Sequence, residues 1–150
     1  IYQNEVSVIF SRACEYGIRA VLYLSSTPAG KPVQVRDVAS GLDIPSPFLA
    51  KVVQTLTKRG ILRSQKGPGG GICIAKSPES IRVIDIVEAI DGLGLSEVCV
   101  LGMPNCSDEE PCPFHDEWGR VRTEFMKMLE GKSVSKLVKE FDKKKFVLNR

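Results

Sequence analysis

The sequence holds one histidine, one tryptophan and no long hydrophobic run. Its first apolar stretch, Val8 to Phe10, is far shorter than a signal-peptide core, and nothing approaches the roughly 20 residues that a membrane helix needs. A cytoplasmic protein with no membrane partner is therefore expected. Close Cys-x2-4-Cys knuckles of the structural-zinc kind are absent. The glycine-rich run 67–71 is followed by a strand pattern and has no Lys-Ser/Thr after it, so neither nucleotide-binding fingerprint has its context. With a single imidazole there is no nucleophile and base pair to assign, and Pro111-Cys112-x-x-His115-x-Glu117 has the wrong order for a zinc deaminase. No enzyme activity is expected.

The chain does contain five cysteines, an odd number. In a reducing compartment these are better suited to metal binding or redox chemistry than to a disulfide frame. Cys99, Cys106, Cys112 and the lone His115 fall within one stretch rich in Pro, Gly and acidic residues. Soft thiolates with an imidazole suit iron, an iron-sulfur cluster or zinc. The gaps of six, five and two residues fit a loop draped around something larger than one ion. Cys73 lies between Ile72 and Ile74 and reads as a small hydrophobic filler.

Charge is distributed by segment. Residues 1–82 carry eleven Lys and Arg against five acids, 83–131 carry three against eleven, and 132–150 carry seven against two. A basic first half beside an acidic middle is the pattern of a nucleic-acid-binding module joined to a second, non-binding one.

The periodicity predicts a mostly α protein with a small β hairpin. Phe10, Ala13, Gly17, Ala20, Val21 and Leu24 mark one face of a first helix, with Ser11 as its cap. Val33-Gln34-Val35 reads as extended and Arg36 to Leu42 as a short helix. Ser46 is expected to cap a further helix, with Pro47 in its first position and Leu49, Val52, Val53 and Leu56 buried. Lys51, Gln54, Thr55, Lys58 and Arg59 face outward. Two short helices joined by a tight turn form a helix-turn-helix, and this second helix has a basic, polar outer face suited to a DNA groove. Ile61–Lys66 and Ile72–Ala75 alternate as two strands around the glycine tip. That hairpin is a wing, whose backbone at Gly69 and Gly70 can approach a sugar-phosphate surface beside Lys66. A helix through Val83, Ile86, Val87 and Ile90 follows and ends at Asp91-Gly92.

After the cysteine loop, Phe114, Trp118, Val121, Phe125 and Met128 recur at four and three, a short heptad seam that predicts packing along another helix, such as that of a second copy. Ser133 can cap a last helix to about Phe141, and Lys143-Lys144-Lys145 reads as a frayed basic end. The expected organisation is an N-terminal extension (1–7), a winged helix-turn-helix domain (8–91), a cysteine-rich loop (92–113), a long dimerisation helix (114–131) and a C-terminal helix with a basic tail (132–150).

The helix-turn-helix, the Lys66-Gly67-Pro68-Gly69-Gly70-Gly71 wing and the three-cysteine loop, in this order, resemble the Rrf2 family of bacterial transcription regulators, over about Val8 to Val138. Members of the CymR type lack this cysteine set, so the likeness is to the iron-sulfur-binding, IscR- and NsrR-like branch. The resemblance implies a homodimer on a pseudo-palindromic double-stranded DNA operator. It places base contacts on Pro45, Pro47, Phe48, Ala50 and Lys51, within a surface that includes Ser46, Gln54, Lys58 and Arg59, and puts Lys66 where relatives carry a wing arginine. IscR-like members have glutamate at the position of Ala50 and serine at that of Pro47, which implies a different operator. Lys51 has the reach for guanine O6 and N7, while Gln54 and Lys58 suit phosphates. The resemblance also implies an iron-sulfur cluster on Cys99, Cys106 and Cys112. The fourth ligand is His115 in the IscR-like pattern, with [2Fe-2S] favoured. It is Glu15 of the partner subunit in the NsrR-like pattern, often with [4Fe-4S]. A zinc site or a thiol-disulfide switch in the same loop is the alternative.

Overall fold

The computed structural model describes residues 9–144. The N-terminal extension 1–7 and the end of the basic tail from 145 lie outside the described residues. Those described form six α-helices and one antiparallel hairpin: α1 (Arg12–Ser25), α2 (Val35–Leu42), α3 (Ser46–Lys58), β1 (Leu62–Gln65), β2 (Gly71–Ile74), α4 (Val83–Ile90), α5 (His115–Glu130) and α6 (Val134–Lys144). No described helix is long and apolar enough to cross a membrane.

The helix α1 is the centre of the core. Ser11 caps it, its hydroxyl accepting the Cys14 N–H at 3.1 Å, and Asp91 at the end of α4 accepts the Ser11 N–H at 2.8 Å. Ala20, Val21 and Leu24 pack with Leu49, Val52 and Leu56 of α3 and Ile86 of α4. Gly17 permits the close crossing: a Cβ there would lie 2.3 Å from Ile90 Cδ1 and 3.3 Å from Val52 Cγ1.

The helix-turn-helix forms as predicted, with Asp43 in the left-handed conformation at the end of α2. One detail differs. The cap of α3 is Pro45, not Ser46, because the Pro45 carbonyl already accepts the Phe48 and Leu49 N–H groups at 3.1 and 3.0 Å. Ser46 and Pro47 therefore occupy the first turn, where a missing proline N–H leaves no bond unmade. Leu49, Val52, Val53 and Leu56 are buried as expected.

In the wing, Leu62 pairs with Ile74 and Gln65 with Gly71, and Cys73 is buried. The extended piece at Val33 adds a one-residue third strand: Val33 N–H donates to the Ile72 carbonyl at 2.9 Å and Ile72 N–H to the Val33 carbonyl at 2.8 Å. Gln34 Nε2 donates to the Gly70 carbonyl at 2.8 Å. The wing is thus tied to the residues that begin α2.

The charge-based boundary at 132 is not a boundary in packing. The helix α6 lies against α1, fully buried Val134 donates its N–H to the Ile81 carbonyl at 2.8 Å, and Leu137, Val138 and Phe141 join the core. The helix α5 is anchored at its C-terminal end by Leu129 and Phe125 against Cys14, Val87 and Phe10. Of its seam, Trp118 and Phe125 are half-buried within the chain, while Phe114, Val121 and Met128 are 49%, 55% and 55% exposed.

Candidate metal centre and nucleic-acid interface

The loop from 92 to 113 has a short 3-10 turn at Gly94–Ser96 but is otherwise folded by turns and by its attachment to α5. Trp118 Nε1 and Arg122 Nη1 both donate to the Val98 carbonyl, at 2.8 and 3.2 Å, which fixes the backbone beside Cys99. Gly102, with φ of +70°, donates its N–H to the Cys99 carbonyl at 3.0 Å and turns the chain back. His115 N–H reaches the Cys112 carbonyl at 3.0 Å where α5 begins.

These turns bring the Sγ atoms of Cys99, Cys106 and Cys112 within 4.8 Å of one another, all three half-buried free thiols. Cys99 and Cys112 stand 3.6 Å apart, and Cys106 Sγ is 3.1 Å from His115 Nδ1. A cleft of about 70 Å³ opens on the group, with Glu97, Trp118 and Arg122 at its edge. Glu15 lies exposed in the first turn of α1 and is not part of the group.

The four donors form one compact group. A tetrahedral metal with bonds of about 2.3 Å to thiolate and 2.0 Å to imidazole has donor–donor edges of roughly 3.5–3.8 Å. The Cys99–Cys112 separation of 3.6 Å is near such an edge, the Cys106–His115 contact of 3.1 Å is a shorter, hydrogen-bond distance, and the donor set is soft, so the residues fit an iron-sulfur cluster or a thiolate-bound metal.

Local electrostatics also prepare the thiols. Cys106 is lowered to about 7, chiefly because the Cys112 N–H, at 3.5 Å, and then His115 favour its thiolate. Burial raises Cys112. His115 is raised, first by Asp108, whose Oδ1 is 2.9 Å from Nε2, and then by Cys106. Asp108 was missed by sequence reasoning: it sits in a run of acids with no periodicity, and only the folded turn singles it out. Cys14, by contrast, is pushed up to about 12 by burial and then by Asp91, which makes it an inert core thiol.

Pro45, Pro47, Phe48, Lys51, Gln54, Lys58 and Arg59 are all exposed along α3 and its entry, with Ser46 and Ala50 half-buried among them. Lys66 and Gly69 are exposed at the wing tip. Gly70 is buried instead: its N–H is bonded to the Gly67 carbonyl at 2.9 Å and its own carbonyl accepts from Gln34, so its place is to shape the tip. A second group not anticipated from sequence braces α3. Arg19 Nη2 donates to the Leu42 carbonyl at 2.7 Å and its guanidinium lies 5.9 Å over the Tyr16 ring, which meets Phe48 edge-on at 5.5 Å.

A helix-turn-helix tied to a glycine-tipped hairpin defines a winged-helix DNA-binding regulator. Within that class the chain belongs to the Rrf2 family: residues 10–140 match its family model, described as an iron-dependent transcriptional regulator. A relative from Aquifex aeolicus (strain VF5), described as a candidate HTH-type transcriptional regulator, is 34% identical over 145 residues, covering 95% of this chain and all of its own length. Among solved structures, CymR, the global cysteine regulator of B. subtilis, superposes with a TM-score of 0.76 at 21% identity, over 87% of this chain and 96% of its own. T. potens IscR does so with a TM-score of 0.70 at 22% identity, over 89% and 88%. These two establish the fold. The family acts in transcription regulation and not as enzymes, in agreement with the sequence reading.

Proposed function

We propose that this chain is a homodimeric, DNA-binding transcription regulator whose operator affinity is set by an iron-sulfur cluster held by Cys99, Cys106, Cys112 and His115. The observation that carries this reading is the gathering of three free thiols within 4.8 Å of one another, with His115 Nδ1 3.1 Å from Cys106 Sγ, on the loop between the winged domain and α5. [2Fe-2S] is favoured over [4Fe-4S] because the local histidine follows the IscR-like ligand pattern, and a single zinc ion would use the same donors. The family description, iron-dependent, agrees with it. His115 is preferred to the partner subunit's Glu15 because its Nδ1 already faces Cys106. When bound, the cluster supplies a redox- and ligand-sensitive centre that is easiest to disturb at the iron bearing a nitrogen donor.

The chain's own residues then convert occupancy into DNA binding. Without metal, three thiols so close together gain from separating once two of them ionise, and residues 92–113 loosen around Trp118 and Arg122. That loosening shifts α5 relative to α4, and so changes the spacing of two recognition helices across a dimer. The dimer is built on the exposed seam of Phe114, Val121 and Met128, with Trp118 and Phe125 lining its inner edge. On DNA, Lys51 and its neighbours on α3 read the major groove of each half-site and Lys66 follows the adjacent backbone or minor groove.

The test is anaerobic reconstitution with ferrous iron and sulfide, followed by absorption and EPR spectra and metal and sulfide counts. About two irons and two sulfides per chain are expected, lost in Cys99→Ala, Cys106→Ala and Cys112→Ala and spectrally altered in His115→Ala but not in Glu15→Ala. A colourless protein with one zinc per chain and no sulfide would overturn the cluster and leave the winged-helix regulator with a structural metal.

A further inference from the structure

The cluster reading leaves open what aims the only imidazole of the chain. We propose that Asp108 is a positioning residue: its carboxylate takes the Nε2–H of His115 and so presents Nδ1 as an open lone pair to the site beside Cys106. This rests on the ligand reading above and adds to it the residue that makes His115 a competent ligand.

The geometry is specific. Nε2 is 2.9 Å from Asp108 Oδ1 and Nδ1 is 3.1 Å from Cys106 Sγ, so the two ring nitrogens face two acceptors. An ionised carboxylate only accepts, so Nε2 must carry its proton in this contact. A neutral ring has one N–H to give, and with that proton on Nε2 the Nδ1 lone pair accepts from the Cys106 thiol at 3.1 Å. Oxygen makes the shorter, stronger charge-assisted bond, and Asp108 thereby wins the proton. Were Nδ1–H formed instead, the nitrogen nearest the thiols would have no lone pair to offer. A carboxylate behind a metal-bound histidine is a known device for fixing tautomer and ring orientation.

Asp108 is itself held in place. It sits in a turn closed by Ser107 N–H on the Glu110 carbonyl at 3.3 Å and by Glu110 N–H on Ser107 Oγ at 3.2 Å. The carboxylate is 96% exposed while the imidazole is 18% exposed, so the aspartate covers the outer edge of a ring whose inner edge faces sulfur. Exposure also means that replacing Asp108 removes little packing.

The single histidine makes the test unambiguous, since every imidazole signal is His115. Reduced, metal-free, 15N-labelled protein, buffered above the titration of the ring, is compared by long-range proton–nitrogen NMR for the parent, Asp108→Ala and Asp108→Glu. The parent is expected to hold Nε2–H. Asp108→Ala should raise the ratio of Nδ1–H to Nε2–H by ~10-fold or more, the loss of one charge-assisted bond partly screened by water, and Asp108→Glu should restore it. In protein loaded anaerobically with ferrous iron and sulfide, Asp108→Ala should also shift the reduction potential and Asp108→Glu return it toward the parent. An unchanged tautomer ratio in Asp108→Ala overturns the proposal. If the parent takes up no iron and sulfide, the cluster reading fails while the NMR comparison still decides what Asp108 does to His115.

Discussion

Replacing Gly71 by alanine should detach the wing from the helix-turn-helix. Gly71 has φ of +149°, and a Cβ there would stand 2.4 Å from the Val33 carbonyl oxygen and 2.6 Å from its carbon. These are backbone atoms and cannot rotate away. Relief requires Val33 to withdraw, which breaks the two Val33–Ile72 hydrogen bonds of 2.9 and 2.8 Å. Two such bonds are worth about 1 kcal/mol each, and a side chain at this φ costs roughly 1–3 kcal/mol. The sum, about 3–5 kcal/mol, corresponds to a drop in melting temperature on the order of 10 °C for a chain of this size. Gly69→Ala is the control: its φ is +73° but nothing lies within 4 Å of its Cβ. It should cost only about 1–2 kcal/mol. Thermal unfolding followed by circular dichroism measures both, and fluorescence-anisotropy titration of operator DNA at several salt concentrations reads the consequence. With the wing displaced, Lys66 loses its phosphate, and the slope of log affinity against log salt should fall by about one counterion per protomer. A Gly71→Ala protein that melts within a degree or two of the parent, or a Gly69→Ala protein destabilised as much, would refute the reasoning.

Four other substitutions follow from the same structure. Leu129→Ala empties a site that is 5% exposed between α1, α4 and α5 and should cost about 2–4 kcal/mol, seen in chemical denaturation, with α5 loosened before the winged domain unfolds. Lys51→Ala should relax discrimination at one operator position by about 1–3 kcal/mol, whereas Lys58→Ala should weaken all sequences alike, both read by competition binding. An unfolded chain ionises Cys14 near 9.0 while the folded chain holds its proton to about 12. Only the unfolded state then gains charge in that window, so stability falls as pH rises through it. The parent-minus-Cys14→Ala difference in unfolding free energy should show that fall, and iodoacetamide should label the loop thiols while sparing Cys14.

The fold class was set by local patterns in the sequence. Helical spacing from Phe10 to Leu24, the Pro45-Ser46-Pro47 entry to α3 and the glycine run 67–71 each constrain their own backbone, and each formed within a residue or so of expectation. The clustering of Cys99, Cys106, Cys112 and His115 was likewise visible, because residues joined by one short loop cannot be far apart. Tertiary structure decided what depends on distant segments. Val33 and Gln34 hold the wing through partners that no spacing reveals. The helix α6 completes the core of the winged domain although its charge sets it apart, because Val134 and Leu137 fill space beside α1. Above all, how closely the three thiols gather, and that Asp108 faces the histidine, depend on turns in a loop without periodicity. There the sequence supplies the donors, and only the folded backbone assigns their neighbours.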